Sequence, residues 1–437
     1  MNGGGRPVAV AGAGLAGAMM ACYLARDGYR VRVYERRSDP RRKGTEGGRS
    51  INLALSHRGI RALAELGLAD EVLAHGVPMR GRMMHAPDGD LSLQPYGTEA
   101  DQVIHSTSRG DLNLRLLDAA EAAGAKLIFD APVVDVEPEH GRIHLEGGRT
   151  EEFDFIVGAD GAYSAVRARL QRTAGFDYAQ TYLTHGYKEL TLPAAPDGGF
   201  ALEPHALHIW PRGGFMMIAL PNEDRTFTCT LFWPLTGEAP SFAAVRTDED
   251  VLAVFRTHFA DALPLFPDVT EQYRTHPVGT LVTVRCGPWD LGGRVILIGD
   301  AAHAVVPFYG QGMNASFEDC RLLAEALRAH ATPAEAFRRF YEDRKADADA
   351  LSELAIENYR VMRDRVASRG FLALRALGRL AHRVLPGVFV PLYTMVTFTS
   401  TPYAEAVARW ERQVHGVRRA ATVLAILLGV LLLLALR

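Results

Sequence analysis

Three short apolar runs along the chain each end on glycine and are each followed by helical spacing. Val8–Ala11 runs into Gly12-x-Gly14-x-x-Gly17, Phe153–Val157 into Gly158, Asp160 and Gly161, and Val295–Ile298 into Gly299 and Asp300. Each reads as a buried strand, a tight turn and a helix start. Residues 178–285 instead alternate in short strands ("HALHIWP", "FMMIALP", "TFTCTLFWPL") between Pro, Gly and Asp turns, which predicts a mostly antiparallel sheet. Residues 334–415 return to amphipathic helices. On one of them Leu351, Leu354, Ala355, Asn358, Val361 and Met362 recur on one face. The chain closes on an uncharged, nearly all-apolar run, Ala420–Leu436.

The first glycine turn is chemically the most specific. Its glycines permit a tight turn, close approach of backbone to a pyrophosphate and close packing of helix on strand, while the helix N-terminus offers partial positive charge. Strand, Gly12-x-Gly14-x-x-Gly17, helix and a second strand ending at Glu35 together predict a dinucleotide site, with Leu15, Ala16 and Arg36 among its expected contacts. Glu35 is placed to accept both hydroxyls of an adenosine ribose. An acid there disfavours a 2′-phosphate, leaving FAD or NAD. The third turn decides between them. An NAD site needs only the first motif, whereas FAD has a ribityl chain and a flavin ring to be held as well. Asp300 suits the ribityl hydroxyls, and Gly310 and Gly312, ahead of a helix predicted to start near Asn314, put a helix N-terminus near the flavin carbonyl. The middle turn, with Asp160, taken alone reads as an ordinary strand-to-helix turn.

The predicted fold is α/β. It has a discontinuous Rossmann-like FAD-binding domain (1–75, 104–176 and 286–345), an inserted sheet domain roofing the substrate (76–103 and 178–285), a C-terminal helical region (346–416) and a transmembrane anchor helix (418–437). At 437 residues the chain is long enough for such a division. A net charge of −3 gives no reason to expect nucleic acid. Lysine occurs only at Lys43, Lys126, Lys188 and Lys345, an arginine bias that points to a GC-rich genome. Cys22, Cys229, Cys286 and Cys320 are far apart, so neither disulfides nor a thiolate metal site is expected, and a reducing compartment fits. His205 and His208 have no third ligand close by and read as structural. As a helix the terminal apolar run would span about 25 Å, and it follows Arg409, Arg412, Arg418 and Arg419. That charge bias predicts a membrane anchor with the body on the cytoplasmic side. The alternative is a buried or interfacial helix. No apolar signal core follows Met1, so secretion is not expected.

With these motifs in this order the chain resembles the class A flavoprotein monooxygenases of the para-hydroxybenzoate hydroxylase-like fold. Within that family "EGGRSINLALSHRGIRAL" (Glu46–Leu63), "GRMMHAPDG" (Gly81–Gly89), "QPYG" (Gln94–Gly97), "VPFYGQGMNASFED" (Val306–Asp319), "IENYRVMRD" (Ile356–Asp364) and "VTFTSTPYAEAVARW" (Val396–Trp410) are similar to the members that hydroxylate L-kynurenine. The resemblance implies FAD, with NADPH as a transient co-substrate, O2, and oxygen transfer to an aromatic ring from a flavin C4a-hydroperoxide. No side chain would then act as catalyst. The body would face the cytoplasm at a bacterial inner membrane, or at the outer mitochondrial membrane in a eukaryote. The resemblance places cofactor contacts at Leu55, Arg109, Asp160, Pro307, Met313 and Asn314, and substrate contacts at Arg82, Tyr96, Phe308, Tyr309, Asn358, Met362 and Tyr403. Val361 and Tyr309 depart from residues usual in that family, which bears on substrate preference.

On the residues alone, Arg82 and Tyr96 sit on two segments that the turn "APDGD" joins as neighbouring strands, and a surface arginine with a core tyrosine stays an open reading. Asn358 is equally open to an interhelical hydrogen bond. Arg49 and Ser50 lie in a basic loop that either closes over the cofactor or is merely solvated. Two other functions are open: a same-fold flavin oxidoreductase acting on another aromatic or an isoprenoid, and a non-catalytic membrane-anchored flavoprotein.

Overall fold

A computed structural model describes residues 4–42, 52–97, 99, 101–362 and 389–435; beyond Val417 side chains are described only at Arg419 and Thr422. Pro7–Ala11 is central in a six-stranded sheet. It pairs in parallel with Arg30–Tyr34 on one side and Phe155–Gly158 on the other, and these pair in parallel with Lys126–Ile128 and Val295–Leu297. Antiparallel Asp290–Leu291 closes one edge. The register aligns Ala11 with Gly158 and Gly158 with Leu297. The three glycine turns therefore emerge at the same carboxyl end of one sheet, the end at which open parallel sheets bind ligands. Val8, Val10, Ile156, Val157, Val295 and Ile296 are fully buried, as expected of strands covered on both faces.

The second apolar strand begins at Phe155, two residues later than the apolar run, because the Phe153 N–H turns aside to the Gly141 carbonyl at 2.8 Å. The helix after the third turn begins at Gly312, earlier than the expected Asn314.

Residues 177–287 and 81–95 build a seven-stranded sheet in the order Gly279–Gly287, Asp177–Leu192, Phe227–Pro234, Met216–Pro221, Ala206–Pro211, Gly81–His85, Leu91–Pro95. Every pair is antiparallel except Ala206–Pro211 with Gly81–His85. One face packs Trp210, Phe227 and Trp233 against the helix Asp248–His258, which opens on a Thr247–Asp250 capping box. The opposite face, with Met84, Ile209, Met216 and Phe232, meets Phe308, Leu351, Ala355 and Met362.

The helix Pro333–Arg360 starts on a Thr332–Glu335 capping box with proline in its first turn. It lies against Gly312–Ala329 across a buried ionic cluster. Arg344 donates to Asp319 at 2.9 and 3.0 Å, to Glu318 at 3.0 Å and to Asp347 at 3.2 Å, and Arg58 donates to Glu318 at 2.6 Å. Asp319 in turn accepts the Gly299 N–H at 3.0 Å and lies 2.6 Å from His303 Nε2, which fixes the third glycine turn from beneath.

The last helix runs Tyr403–Ala435. Among the described residues no helix is long and apolar enough to cross a membrane. The expected span falls on side chains outside the described residues, as do the loop with Arg49 and Ser50 and residues 363–388.

Candidate active site

A 290 Å³ cavity lies between the carboxyl end of the parallel sheet and the cavity face of the seven-stranded sheet. Gly14, Leu15, Ala16, Ala159, Gly161, Asp300, Pro307, Gly310, Gly312 and Met313 line one end. Two helix N-termini border it, Leu15–Arg26 and Gly312–Ala329. Neither has a side-chain cap or an acid in its first turn, so the N–H groups of both are left for something else.

The glycines differ in role. A Cβ on Gly12 (φ +98°) would lie 2.5 Å from the Ala159 carbonyl oxygen, and one on Gly17 would lie 1.9 Å from the Gly12 carbonyl oxygen. A Cβ on Gly14 would meet no protein atom within 4 Å. Gly12 and Gly17 thus serve the turn itself, while Gly14 keeps open the space beside the helix start. Glu35, buried at the end of its strand, accepts the Ala13 N–H at 2.9 Å and is paired with Arg37 at 2.8 Å. Burial pushes its carboxyl up, but the Arg37 and Ala13 hydrogen bonds outweigh that and hold it below the ordinary range. Asp300, the first residue of its helix, is exposed on the cavity wall. Two uncapped helix starts, an ionised acid at the second strand and an exposed acid at the third turn are the donor and acceptor set that FAD requires, and the residues present fit it.

The other end is apolar, walled by Leu207, Ile218, Phe232, Phe308 and Met362, with one polar corner. Gly81–His85 and Leu91–Pro95 form the antiparallel hairpin expected across "APDGD", pairing Arg82 with Gln94. The hairpin brings Arg82 and Tyr96 to the cavity. Arg82 is 4% exposed and its Nε has no hydrogen-bond partner. Tyr393 stacks on Tyr96 at 5.5 Å and on Tyr309 at 5.6 Å, and the Arg82 guanidinium lies 5.0 Å from its ring centroid. Burial works against the charge on Arg82, but Tyr393, Tyr96 and Tyr309 more than restore it.

Several expected site residues are not brought to the cavity wall. Tyr403 is fully buried behind it, with its hydroxyl donating to Gln311 Oε1 at 3.1 Å and its ring under the Arg58 guanidinium at 4.1 Å. The C-terminal tyrosine that joins Tyr96 beside Arg82 is Tyr393, ten positions earlier, on the helix Leu392–Phe398. Its only sequence signal was an aromatic residue in a short apolar segment after a proline. Asn358 does not line the cavity either: its amide donates to the Phe308 carbonyl at 2.6 Å and so holds the cavity loop to the long helix. Asn314 is fully buried, donating to the Ala54 and Gly310 carbonyls at 2.8 and 2.9 Å and accepting the Ser56 N–H at 2.9 Å. Its side chain is a clamp beneath the loop. Leu55 is core. Arg36 and Arg109 are exposed and off the wall, and it is Arg37, not Arg36, that meets Glu35. Asp160 Oδ2 caps a helix through the Ala165 and Val166 N–H groups at 2.7 and 3.2 Å, while its buried Oδ1 has no partner and burial raises its carboxyl. His208 is buried against His85, and the exposed His205 meets the Pro78 carbonyl.

Comparison with known proteins agrees with this cradle. The family described as FAD binding domain matches residues 6–354. The chain is 49% identical over 413 residues to a kynurenine 3-monooxygenase of Xanthomonas campestris pv. campestris, covering 93% of this chain and 90% of that one. It is 48% identical over 426 residues to that of Salinispora tropica, covering 96% and 94%. Among solved structures, 2-methyl-3-hydroxypyridine-5-carboxylic acid oxygenase shares the fold, with a TM-score of 0.68 at 22% identity over 83% of this chain and 94% of that one. The chain therefore belongs to the kynurenine 3-monooxygenase family of FAD-binding monooxygenases.

Proposed function

We propose that this protein hydroxylates L-kynurenine to 3-hydroxykynurenine, using FAD, NADPH and O2. The observation that carries the reading is Arg82, a buried guanidinium with an unpartnered Nε at a polar corner of the largely apolar substrate end of the cavity. A buried cation of that kind calls for an anion, and a planar carboxylate is matched by the two-point fork of arginine. Bound FAD, reduced by NADPH, supplies the activation of dioxygen. The chain's own residues do the rest. Arg82, with the Tyr96 and Tyr393 hydroxyls beside it, grips the α-carboxylate and fixes which ring carbon faces the flavin end. Phe232, Phe308, Met313 and Met362 exclude water from the reacting ring. Asn358 holds the Phe308 carbonyl and with it the loop that closes the cavity.

Product analysis after incubation with NADPH, O2 and L-kynurenine tests the reading, and 3-hydroxykynurenine is the expected product. Arg82→Met, with FAD retained, is expected to raise the KM for kynurenine by a factor corresponding to about 2–5 kcal/mol. Unchanged affinity in that variant would put the carboxylate elsewhere. A parent enzyme that turns over no kynurenine would favour another aromatic or an isoprenoid substrate. The proposal extends to location. The terminal run Ala420–Leu436 behind Arg418 and Arg419 is read as a membrane anchor, with the catalytic body on the cytoplasmic side.

A further inference from the structure

On the face of the seven-stranded sheet opposite the cavity, two histidines and an acid form a chain that the reaction does not use. His85 Nδ1 lies 2.7 Å from Asp261 Oδ2, His85 Nε2 lies 2.8 Å from His208 Nδ1, and His208 Nε2 lies 2.8 Å from the Glu203 carbonyl oxygen. The two rings are 3% and 2% exposed. Both ends of the chain are acceptors, a carboxylate and a carbonyl. Each of the three contacts then needs its own proton, and two neutral imidazoles carry only two N–H groups between them. With Asp261 ionised, one ring is an imidazolium.

Its location follows from the neighbours. Asp261 Oδ2 also accepts the Trp210 indole N–H at 2.8 Å, and Trp210 stacks on His85 at 3.9 Å, so the His85 ring has both a carboxylate and an aromatic face to favour a cation. Burial tends to raise the Asp261 carboxyl, but the His85 and Trp210 hydrogen bonds prevail and hold it low. Burial pushes the His208 ring down to about 4. The other charged groups nearby do not compete. Arg212 donates to the His85 carbonyl at 2.8 Å, His258 lies beyond Arg212, and Glu203 presents its carbonyl to the chain.

We infer that the Asp261–His85–His208 chain holds His85 as an imidazolium and, by pinning the strand Gly81–His85, positions Arg82 for the substrate carboxylate. The inference rests on the reading of Arg82 given above. Gly81–His85 is the last strand but one of its sheet, and only the five-residue strand Leu91–Pro95 lies beyond it. Peripheral strands of this kind open most readily. Side chains alternate along a strand, so Arg82 and His85 project to opposite faces of the same short segment. The imidazolium ties that segment to Asp261, three residues beyond the helix Asp248–His258, and to Ala206–Pro211, and Arg82 inherits the resulting rigidity. His85 is thus a positioning residue, with no contact to the reacting atoms.

Two measurements on the FAD-loaded enzyme test this. In the parent protein, nitrogen-15 NMR of the histidine rings is expected to show both His85 nitrogens protonated at neutral pH, with His208 singly protonated. A singly protonated His85 would overturn the inference without any variant. Asp261→Asn keeps an acceptor for Trp210 but removes the charge. It is expected to raise the KM for kynurenine on the order of tenfold with kcat nearly unchanged, and to add an alkaline fall in affinity as the ring loses its proton. It should also broaden or speed the exchange of the Arg82 Nε–H signal. An unchanged KM, pH profile and Arg82 signal in a folded, FAD-retaining Asp261→Asn would overturn the positioning role, and His208→Gln serves as the second variant if Asp261→Asn does not fold. If the parent turns over no kynurenine, the substrate reading fails by itself. The His85 and Arg82 signals then decide the chain.

Discussion

Two glycines three residues apart have opposite consequences here, and the reason is what a methyl group would touch. Gly17 packs helix on turn so closely that a Cβ would sit 1.9 Å from the Gly12 carbonyl oxygen, whereas a Cβ on Gly14 meets no protein atom within 4 Å. Gly17→Ala is therefore expected to destabilise the fold by about 1–3 kcal/mol, as overpacked sites do. Gly14 sits at φ −72°, open to alanine, so Gly14→Ala should melt within about 0.5 kcal/mol of the parent. It should nonetheless bind FAD more weakly, by about 1.5–3 kcal/mol if one charge-assisted backbone bond to the pyrophosphate is lost. Thermal melts of the apoprotein beside flavin titrations separate the two effects. The sequence pattern named both glycines together; only the packing tells them apart. The same limit applies at the polar corner. An aromatic residue and a mid-helix asparagine are visible in sequence, but whether a tyrosine faces a cavity or a core depends on the elements that surround it, which is why Tyr393 stands where Tyr403 was expected.

At the scale of elements, the buried ionic cluster joins parts that neither hydrophobic pattern nor turn chemistry relates. Arg344, on Pro333–Arg360, bridges Asp319 and Glu318 on Gly312–Ala329, and Asp319 carries the turn at Gly299. Arg344→Met would leave Asp319 and Glu318 uncompensated and is expected to cost about 3–5 kcal/mol in denaturant unfolding. The pH dependence has a definite sign. Burial alone would raise the Asp319 carboxyl, but His303 and Arg344 overcome it and hold it below the usual carboxylate range. A depressed carboxyl contributes stability that is present above the unfolded-state value of about 4 and is lost as the pH falls through the lower folded value. Glu35 and Asp261 are depressed likewise, while burial raises Asp347 and opposes them in part. The melting temperature of the parent is expected to fall steeply below about pH 4. Arg344→Met should show a shallower acid limb, because its Asp319 is no longer held low. An equally steep limb in that variant would remove Arg344 from the account.

Across the whole molecule, removing the residues after His415 is expected to shift the protein from the membrane fraction to the soluble one while FAD stays bound. Unchanged partitioning would refute an anchor in the tail. The packed part of the last helix, at Tyr403 and Ala406, precedes the cut and keeps its burial. The sequence by itself determined the parallel sheet, the FAD cradle at its carboxyl end and the antiparallel roof, because an apolar run, a glycine turn and an acid at a strand end are local devices that work with few neighbours. The limits of these strands and of the third-turn helix came within about two residues, and at Phe153 a hydrogen bond to the Gly141 carbonyl decided the boundary. Only the tertiary structure decided which polar side chains reach the cavity. Arg82 and Tyr393 are far apart in the chain and meet because a hairpin and a C-terminal helix converge there, while Asn314, Asn358 and Tyr403 are turned inward by carbonyl and amide partners that no spacing rule predicts. The proton chain on the far face has the same origin. No spacing in the sequence relates His85, His208 and Asp261 to one another, and their charge state follows from which atoms the sheet brings within hydrogen-bond distance.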